Sequence, residues 1–369
     1  MKNWILSLAV TAVLIAVPLA AFDSASGETT FTVTDDTGTT FEFTGAAEHI
    51  VLNGAGAALT VADAGAVDKI VAVDKYSTYS YTGYEQLKDM DAVDLGSFYG
   101  TSNHDYIVAT LVNMVDSGDL NLDDPIILTT YTANESLKER LVGVGFTKVL
   151  LWYTSSVSSY DDIVQFVSDV SMIATGAVSD SVTAMTETVE KVESAVSSAT
   201  ERAKAISVWY SSSSGVMVNN IGIASSMLEV CNAENIGYVE DGGTYYGDAA
   251  TIVKLLEDNP GTVIFLSSSW ASAGKTVDDF RDEYLGGSTD FTVIQMGALW
   301  NNWCPESADG LLAMAEALYP SLFGNAEDGA EGSDEGSDGS DDMLMWAVAA
   351  IAVVVIAAAA YIMFRRTHG

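Results

Sequence analysis

The chain has 369 residues, 49% of them apolar, enough for two domains of ordinary size with a large core. It carries 51 acidic residues against 15 basic, a formal charge of −36, and a surface of that sign repels nucleic acid and anionic lipid, so DNA and RNA are excluded as partners. Two cysteines, Cys231 and Cys304, are too few for a disulfide scaffold.

The two ends place the protein. Lys2 precedes an apolar run to Ala21 and then small polar residues, the layout of a secretory signal over 1–26 with cleavage near Ser26. No cysteine follows the run to carry a lipid. Residues 343–364 hold no charged side chain and as a helix would be about 33 Å long, enough to span a bilayer core. Arg365 and Arg366 follow, so the tail 365–369 is expected in the cytoplasm and the folded part outside, on a single-pass anchor. Between them, 325–342 is Gly, Ser, Asp and Glu without a basic or aromatic residue, a tether of roughly 25 Å.

In the folded part, apolar alternation over 30–33 and 40–43 around Asp35-Asp36-Thr37-Gly38 predicts a hairpin. Residues 49–53 read as a buried strand, 54–64 as a glycine-opened helix and 69–73 as a second strand. A glycine turn at a helix start can bind an anion. Here Leu59 stands where a dinucleotide fingerprint needs its third glycine, and no P-loop lysine follows. Helices at 105–115 and 134–142 and strands at 126–129 and 148–152 continue a βαβ series, whose strands should be parallel. Asn134-Glu135-Ser136 is a glycosylation sequon.

After a helix at 161–174, residues 179–202 have helical spacing throughout. Val182, Met185, Val189, Val192 and Val196 form one apolar stripe, and the length, roughly 36 Å, would link two lobes. The α/β pattern then resumes: strands at 205–209, 216–219, 262–266 and 291–296, helices at 224–231, 249–258 and 308–318. The fold class is therefore α/β. Two lobes, 27–178 and 205–324, with mostly parallel sheets are joined by the helix 179–204, and a C-terminal transmembrane helix follows.

Three stretches carry a resemblance. They are Phe31-Thr32-Val33-Thr34-Asp35-Asp36-Thr37-Gly38, Gly65-Ala66-Val67-Asp68-Lys69-Ile70-Val71-Ala72-Val73-Asp74, and Leu228-Glu229-Val230-Cys231-Asn232-Ala233-Glu234-Asn235-Ile236. In that order they resemble the iron-complex and cobalamin substrate-binding proteins of ABC importers. The resemblance implies two α/β lobes on one rigid helix, no enzymatic activity and no resident cofactor. It implies capture of a metal chelate, a ferric complex or a corrinoid, and its delivery to a permease with a cytoplasmic ATPase. It also implies permease docking through a carboxylate on each lobe. Glu229 occupies the second-lobe position, while Leu59 stands at the first-lobe one, with Asp63 nearby as the substitute.

A flat or greasy chelate needs aromatic walls. The loops expected at the cleft supply Tyr76, Phe98, Tyr99, Tyr210, Tyr245, Tyr246, Trp270 and Trp300, and few Lys or Arg, which favours a neutral or cationic chelate. Cys231 and Cys304 either pair, which would add on the order of 4 kcal/mol, or remain thiols. His49, His104 and His368 are too scattered for a metal site, and no nucleophile elbow occurs. The rival reading is a surface structural or adhesion protein without a small ligand.

Overall fold

The computed structural model describes residues 29–323 except 79–80, 99, 130–132, 155–158, 213, 220–221, 239–244 and 247–248. The expected signal, acidic tether and C-terminal span lie outside the described residues. No helix among those described is long and apolar enough to cross a membrane.

The chain opens with the hairpin β1 (Thr30–Thr34) and β2 (Thr40–Thr44), whose alternating pattern buries Phe31, Val33, Phe41 and Phe43, with Phe31 stacked on Phe43. Its turn is bound to the edge of the first sheet. Asp35 Oδ2 accepts from Lys138 Nζ and from Leu151 N, and Asp36 Oδ2 accepts from Tyr153 N. These carboxylates cap an edge that would otherwise offer free backbone groups.

That sheet contains β3 (Ile50–Leu52), β4 (Ile70–Val73), β5 (Val93–Asp94), β6 (Ile126–Thr129) and β7 (Val149–Trp152), all parallel in the order β5-β4-β3-β6-β7. The connections are α1 (Ala55–Asp63), α2 (His104–Ser117) and α3 (Ala133–Gly143). Chain order reverses between β3 and β6, which makes their carboxyl ends a topological switch point. The sequon is not a glycan site in this fold, because Asn134 is 1% exposed and its Nδ2 donates to Thr129 O.

Helix α4 (Tyr160–Thr175) leads through Gly176 into α5 (Asp180–Val196). Met185, Val192 and Val196 of the expected stripe are buried, and Val182 and Val189 pack beside them. The helix is shorter than its periodicity suggested. Ser197 and Ser198 turn their hydroxyls back to Ser194 O and Ala195 O, competing with the helical ladder. Arg202 does not cap α5 but reaches across to the carbonyls of Asn232 and Ala233.

The second sheet is mixed rather than mostly parallel. Strand β8 (Lys204–Ser211) forms an antiparallel hairpin with β9 (Gly215–Asn219), and pairs in parallel with β12 (Val263–Leu266) and with the short β10 (Glu234–Asn235). Strand β11 (Tyr245–Tyr246) lies antiparallel to β9, and β13 (Val293–Gln295) completes the far edge. Around it run α6 (Ile223–Val230), α7 (Ala249–Glu257), α8 (Ser268–Ser272), α9 (Val277–Tyr284), α10 (Ser307–Leu318) and α11 (Pro320–Phe323). Helix α9 went unread in the sequence although Thr276 and Asp279 form its capping box.

The strands alternate between two cores. Ile50, Leu52, Ile127, Leu150 and Trp152 of the first sheet and Ala205, Val263 and Phe265 of the second all face one apolar layer made by α1, α4, α5, α6 and α10. Val51, Ile126, Leu128, Val149 and Leu151 face α2 and α3 instead, while Ile206, Val208, Ile264 and Leu266 face α7 and α9. The two halves thus share a helical layer rather than meeting only through α5, and they form one compact unit ending at Gly324.

Cys231 and Cys304 are buried in this layer as free thiols. Their sulfurs face different carbonyls, of Leu311 and Leu299, and so they are not bonded to each other. Burial pushes the Cys231 thiol up to about 12.

Asp169 on α4 is a second buried polar group, 6% exposed, with Gln165 Nε2 donating to it at 2.8 Å. Burial raises its pKa from 3.8 to about 7, Asp36 adding to the rise and Gln165 opposing it. Because the folded pKa lies above the unfolded one, the contribution to stability is complete below about pH 4 and is lost as pH rises through 7. Asp169→Asn should therefore match the parent at pH 4 and exceed it at pH 8 by on the order of 1–3 kcal/mol, read by urea unfolding at both pH values.

Candidate functional site

At the switch point the ends of β3 and β6 are joined by side chains. Asn53 Oδ1 accepts from Thr129 N at 2.7 Å, Asn53 Nδ2 donates to Thr129 O, and Thr129 Oγ1 donates to Asn53 O. Gly54 follows with φ 93°, and a Cβ there would stand 2.4 Å from Thr129 Oγ1, so only glycine fits. Its N–H donates to Asp74 Oδ1 at 3.1 Å. Asp74, just beyond β4 and 1% exposed, also takes the N–H and hydroxyl of Ser77. Burial raises its pKa, against those hydrogen bonds.

The second half covers this floor with residues 301–303. The Trp303 ring meets Phe166 edge to face at 5.3 Å, and Phe166 meets Trp152 in the same way. Trp303 O lies 2.7 Å from where a Cβ on Gly56 would be, so the absent side chain lets the segment seat on the first turn of α1. Between the halves lies a cavity of about 300 Å³. Its walls are Tyr76, Tyr81, Phe166 and Trp303, and its polar lining comes from Asn53, Asp74, Thr129, Thr154, Asn301 and Asn302. An adjoining cavity of about 290 Å³ shares Tyr81 and is lined by Trp300, Glu306 and Asp309. Tyr84 Oη donates to Glu306 Oε1 beside it, a polar tie between the halves, and burial followed by this bond raises the Tyr84 pKa. Among the described residues no group of three His, Cys, Asp or Glu side chains is placed to hold a metal ion.

No family model and no curated protein matches the sequence. Solved structures do match. The periplasmic vitamin B12 binding protein BtuF of Vibrio cholerae is 16% identical with a TM-score of 0.55, over 75% of this chain and 98% of that one. This is the fold of the periplasmic binding proteins. The heme-binding protein RhuT of Roseiflexus sp. RS-1 in apo form matches at 13% identity and TM-score 0.52, over 75% of this chain and all 100% of that one. CeuE of Helicobacter pylori in a complex with Ni and His matches at 16% and 0.58, over 81% of this chain and 91% of that one.

Within this fold the aromatic residues separate. Tyr76 lines the first cavity, with Lys75 Nζ 4.7 Å from its ring centre, and Trp300 lines the second. Phe98 does not face the cleft. It is 2% exposed and packs in the core between the first sheet and α2. Trp270, fully buried, and Tyr210 also stand away from it, in an aromatic cluster with Phe280 and Tyr284 on the outer side of the second sheet. Lys275 lies over both rings, and Trp270 Nε1 donates to Thr276 O. Tyr99 and the side chains of Tyr245 and Tyr246 are outside the described residues.

Of the docking candidates, Glu229 is exposed near the end of α6, whereas Asp63 is half-buried at the end of α1 and Leu59 is fully buried. The sequence reading missed Asn53, Asp74, Thr129 and Trp303. The first three directly end or follow strands, where an open parallel sheet presents its ligand groups, and that signal was available. Trp303 had no signal beyond sharing a loop with Trp300.

A Cβ at Gly56 would collide with backbone, which cannot rotate away. Gly56→Ala should cost about 1–3 kcal/mol and shift the tryptophan emission, because Trp303 must move. Gly143→Ala, with nothing within 4 Å of its Cβ, should stay within about 0.5 kcal/mol of the parent in the same urea and fluorescence measurements.

Proposed function

We propose that this chain is an extracytoplasmic solute-binding protein that captures a metal chelate, an iron complex or a corrinoid, and delivers it to an ABC permease and its ATPase. The observation that carries the reading is the aromatic-walled cavity at the carboxyl ends of β3 and β6, closed by Trp303 from the other half. It occupies the place where open parallel sheets bind ligands. Tyr81 belongs to both cavities, so a flat chelate larger than either can extend along the groove. Neighbours of the same fold bind vitamin B12 and heme, and CeuE is seen with Ni and His, which supports a chelate as cargo. The function is binding and not catalysis, and the chelate is the cargo rather than a cofactor.

The membrane arrangement rests on the sequence. The signal over 1–26 exports the chain, the span 343–364 anchors it with the C-terminus inside, and the acidic tether lets the folded part reach a permease. Glu229, exposed near the end of α6, is the carboxylate we assign to permease docking, with Asp63 as its counterpart on α1.

Titrating the full chain in detergent with cyanocobalamin, hemin and ferric siderophores should give saturable tryptophan quenching by one class at micromolar or lower concentration. Tyr81→Ala should weaken that binding roughly tenfold through lost stacking. Flat traces from folded protein would remove the reading. Glu229→Gln should leave that affinity within about twofold while cutting cellular uptake of the labelled chelate roughly tenfold, as expected for one charge at a protein interface. Unchanged uptake would take Glu229 out of docking.

A further inference from the structure

The cleft is built for a particular chemistry, and the inference rests on its being a chelate site. Among the described residues its only charged lining group is Asp74, and the adjoining cavity adds Glu306 and Asp309. No lysine or arginine lines either one. The internal segments outside the described residues contain no lysine or arginine in sequence either. The nearest ammonium in sequence to a lining residue, that of Lys75, is on an exposed side chain and lies over the Tyr76 ring.

Helix N-termini are the remaining source of positive field. That of α1 opens on the cavity floor, but its Gly54 N–H already donates to the Asp74 carboxylate, so an anion is built into the protein at that point. The N-terminus of α6 also reaches the cavity through Ile223. It offers about half an elementary charge against the full charge of a carboxylate. An anionic ligand edge would meet net repulsion here.

Two buried polar atoms in the lining have no protein partner. Trp303, 5% exposed, has its Nε1–H without an acceptor, and Asn301 has its Oδ1 without a donor. One is a donor and the other an acceptor, two residues apart on the same segment. Groups of that kind bind strongly only to a ligand that supplies the complementary atoms, because leaving them unpaired is costly. A carboxylate satisfies the first and repels from the second. An ammonium does the reverse. A neutral amide supplies both a carbonyl oxygen and an N–H.

We propose that the cleft selects a chelate that is uncharged at its bound edge and carries amide groups there, with an amide carbonyl accepting from Trp303 Nε1–H and an amide N–H donating to Asn301 Oδ1. Chelates that present carboxylates at that edge are rejected.

The test uses matched pairs on the full chain: cyanocobalamin against its monocarboxylic acids, in which one side-chain amide has become a carboxylate, and cyclic ferrioxamine E against N-succinyl ferrioxamine B. Titrations run in 1 M NaCl, where screening within about 3 Å removes the field of the −36 net charge and leaves contact interactions. The amide member of the pair that binds should be favoured at least about tenfold over its carboxylate partner, the monocarboxylic acids being assayed singly and at least one showing the loss. Trp303→Phe, which keeps a ring against Phe166, should cut that preference to a few-fold, and Asn301→Val reads the same point without disturbing the indole. Equal or tighter binding of every carboxylate member overturns the inference and leaves the chelate reading standing, as does binding of ferric enterobactin alone. Silence toward every chelate in the panel overturns both.

Discussion

The apolar helical layer shared by the two sheets is the constraint on which the rest of the structure depends. Each sheet has one face covered by its own outer helices, and the other must be buried by α1, α4, α5, α6 and α10. Neither half can hide that face alone, which is why the halves do not separate into independent domains. The site inherits this. Trp303 bridges from the second half onto Phe166 and Gly56 of the first, so pulling the halves apart exposes an indole at a cost on the order of 3–5 kcal/mol. The cleft is therefore a seam in a continuous core, and motions that load it are confined to its rim.

Charge is managed differently at different carboxylates. Asp35 is fully buried yet well supplied, with donors from Thr37, Thr39, Leu151 and Lys138, and it serves as a clamp for the hairpin turn. Asp74 spends its hydrogen bonds on Gly54 and Ser77 and so fixes the loops after β3 and β4. Asp169 has only Gln165 recorded beside it and sits close enough to Asp36 to be raised further by that charge. Burial in an acidic protein is tolerated where backbone N–H groups or an ammonium compensate, and it costs stability where they do not.

Most elements were legible because periodicity and chain punctuation act locally. The valine stripe of α5, the alternation of β1 and β2 and the glycine after β3 each state their element without help from distant residues. The mixed second sheet was less legible, since Val216 and Val218 are compatible with either strand direction and only the hairpin turn and the pairing with Trp209 and Val208 decide it. The aromatic residues were the least legible of all. Trp270 and Trp300 lie in loops of similar composition, but the first is enclosed by Tyr210, Phe280 and Lys275 on the outer side of the sheet, and the second opens on a cavity.

By itself the sequence determined the α/β succession, the linking helix and its buried face, the acidic surface and the aromatic-rich loops, because each follows from the order and spacing of neighbouring residues. The tertiary structure alone decided which of those loops converge. It put Asn53, Asp74 and Thr129 beside Asn301 and Trp303, residues up to 250 positions apart in the chain, left Cys231 and Cys304 facing separate carbonyls, and withdrew Phe98 and Trp270 into packing. The reason is physical: a side chain's type is local, while its burial and partners depend on the packing of elements far apart in sequence.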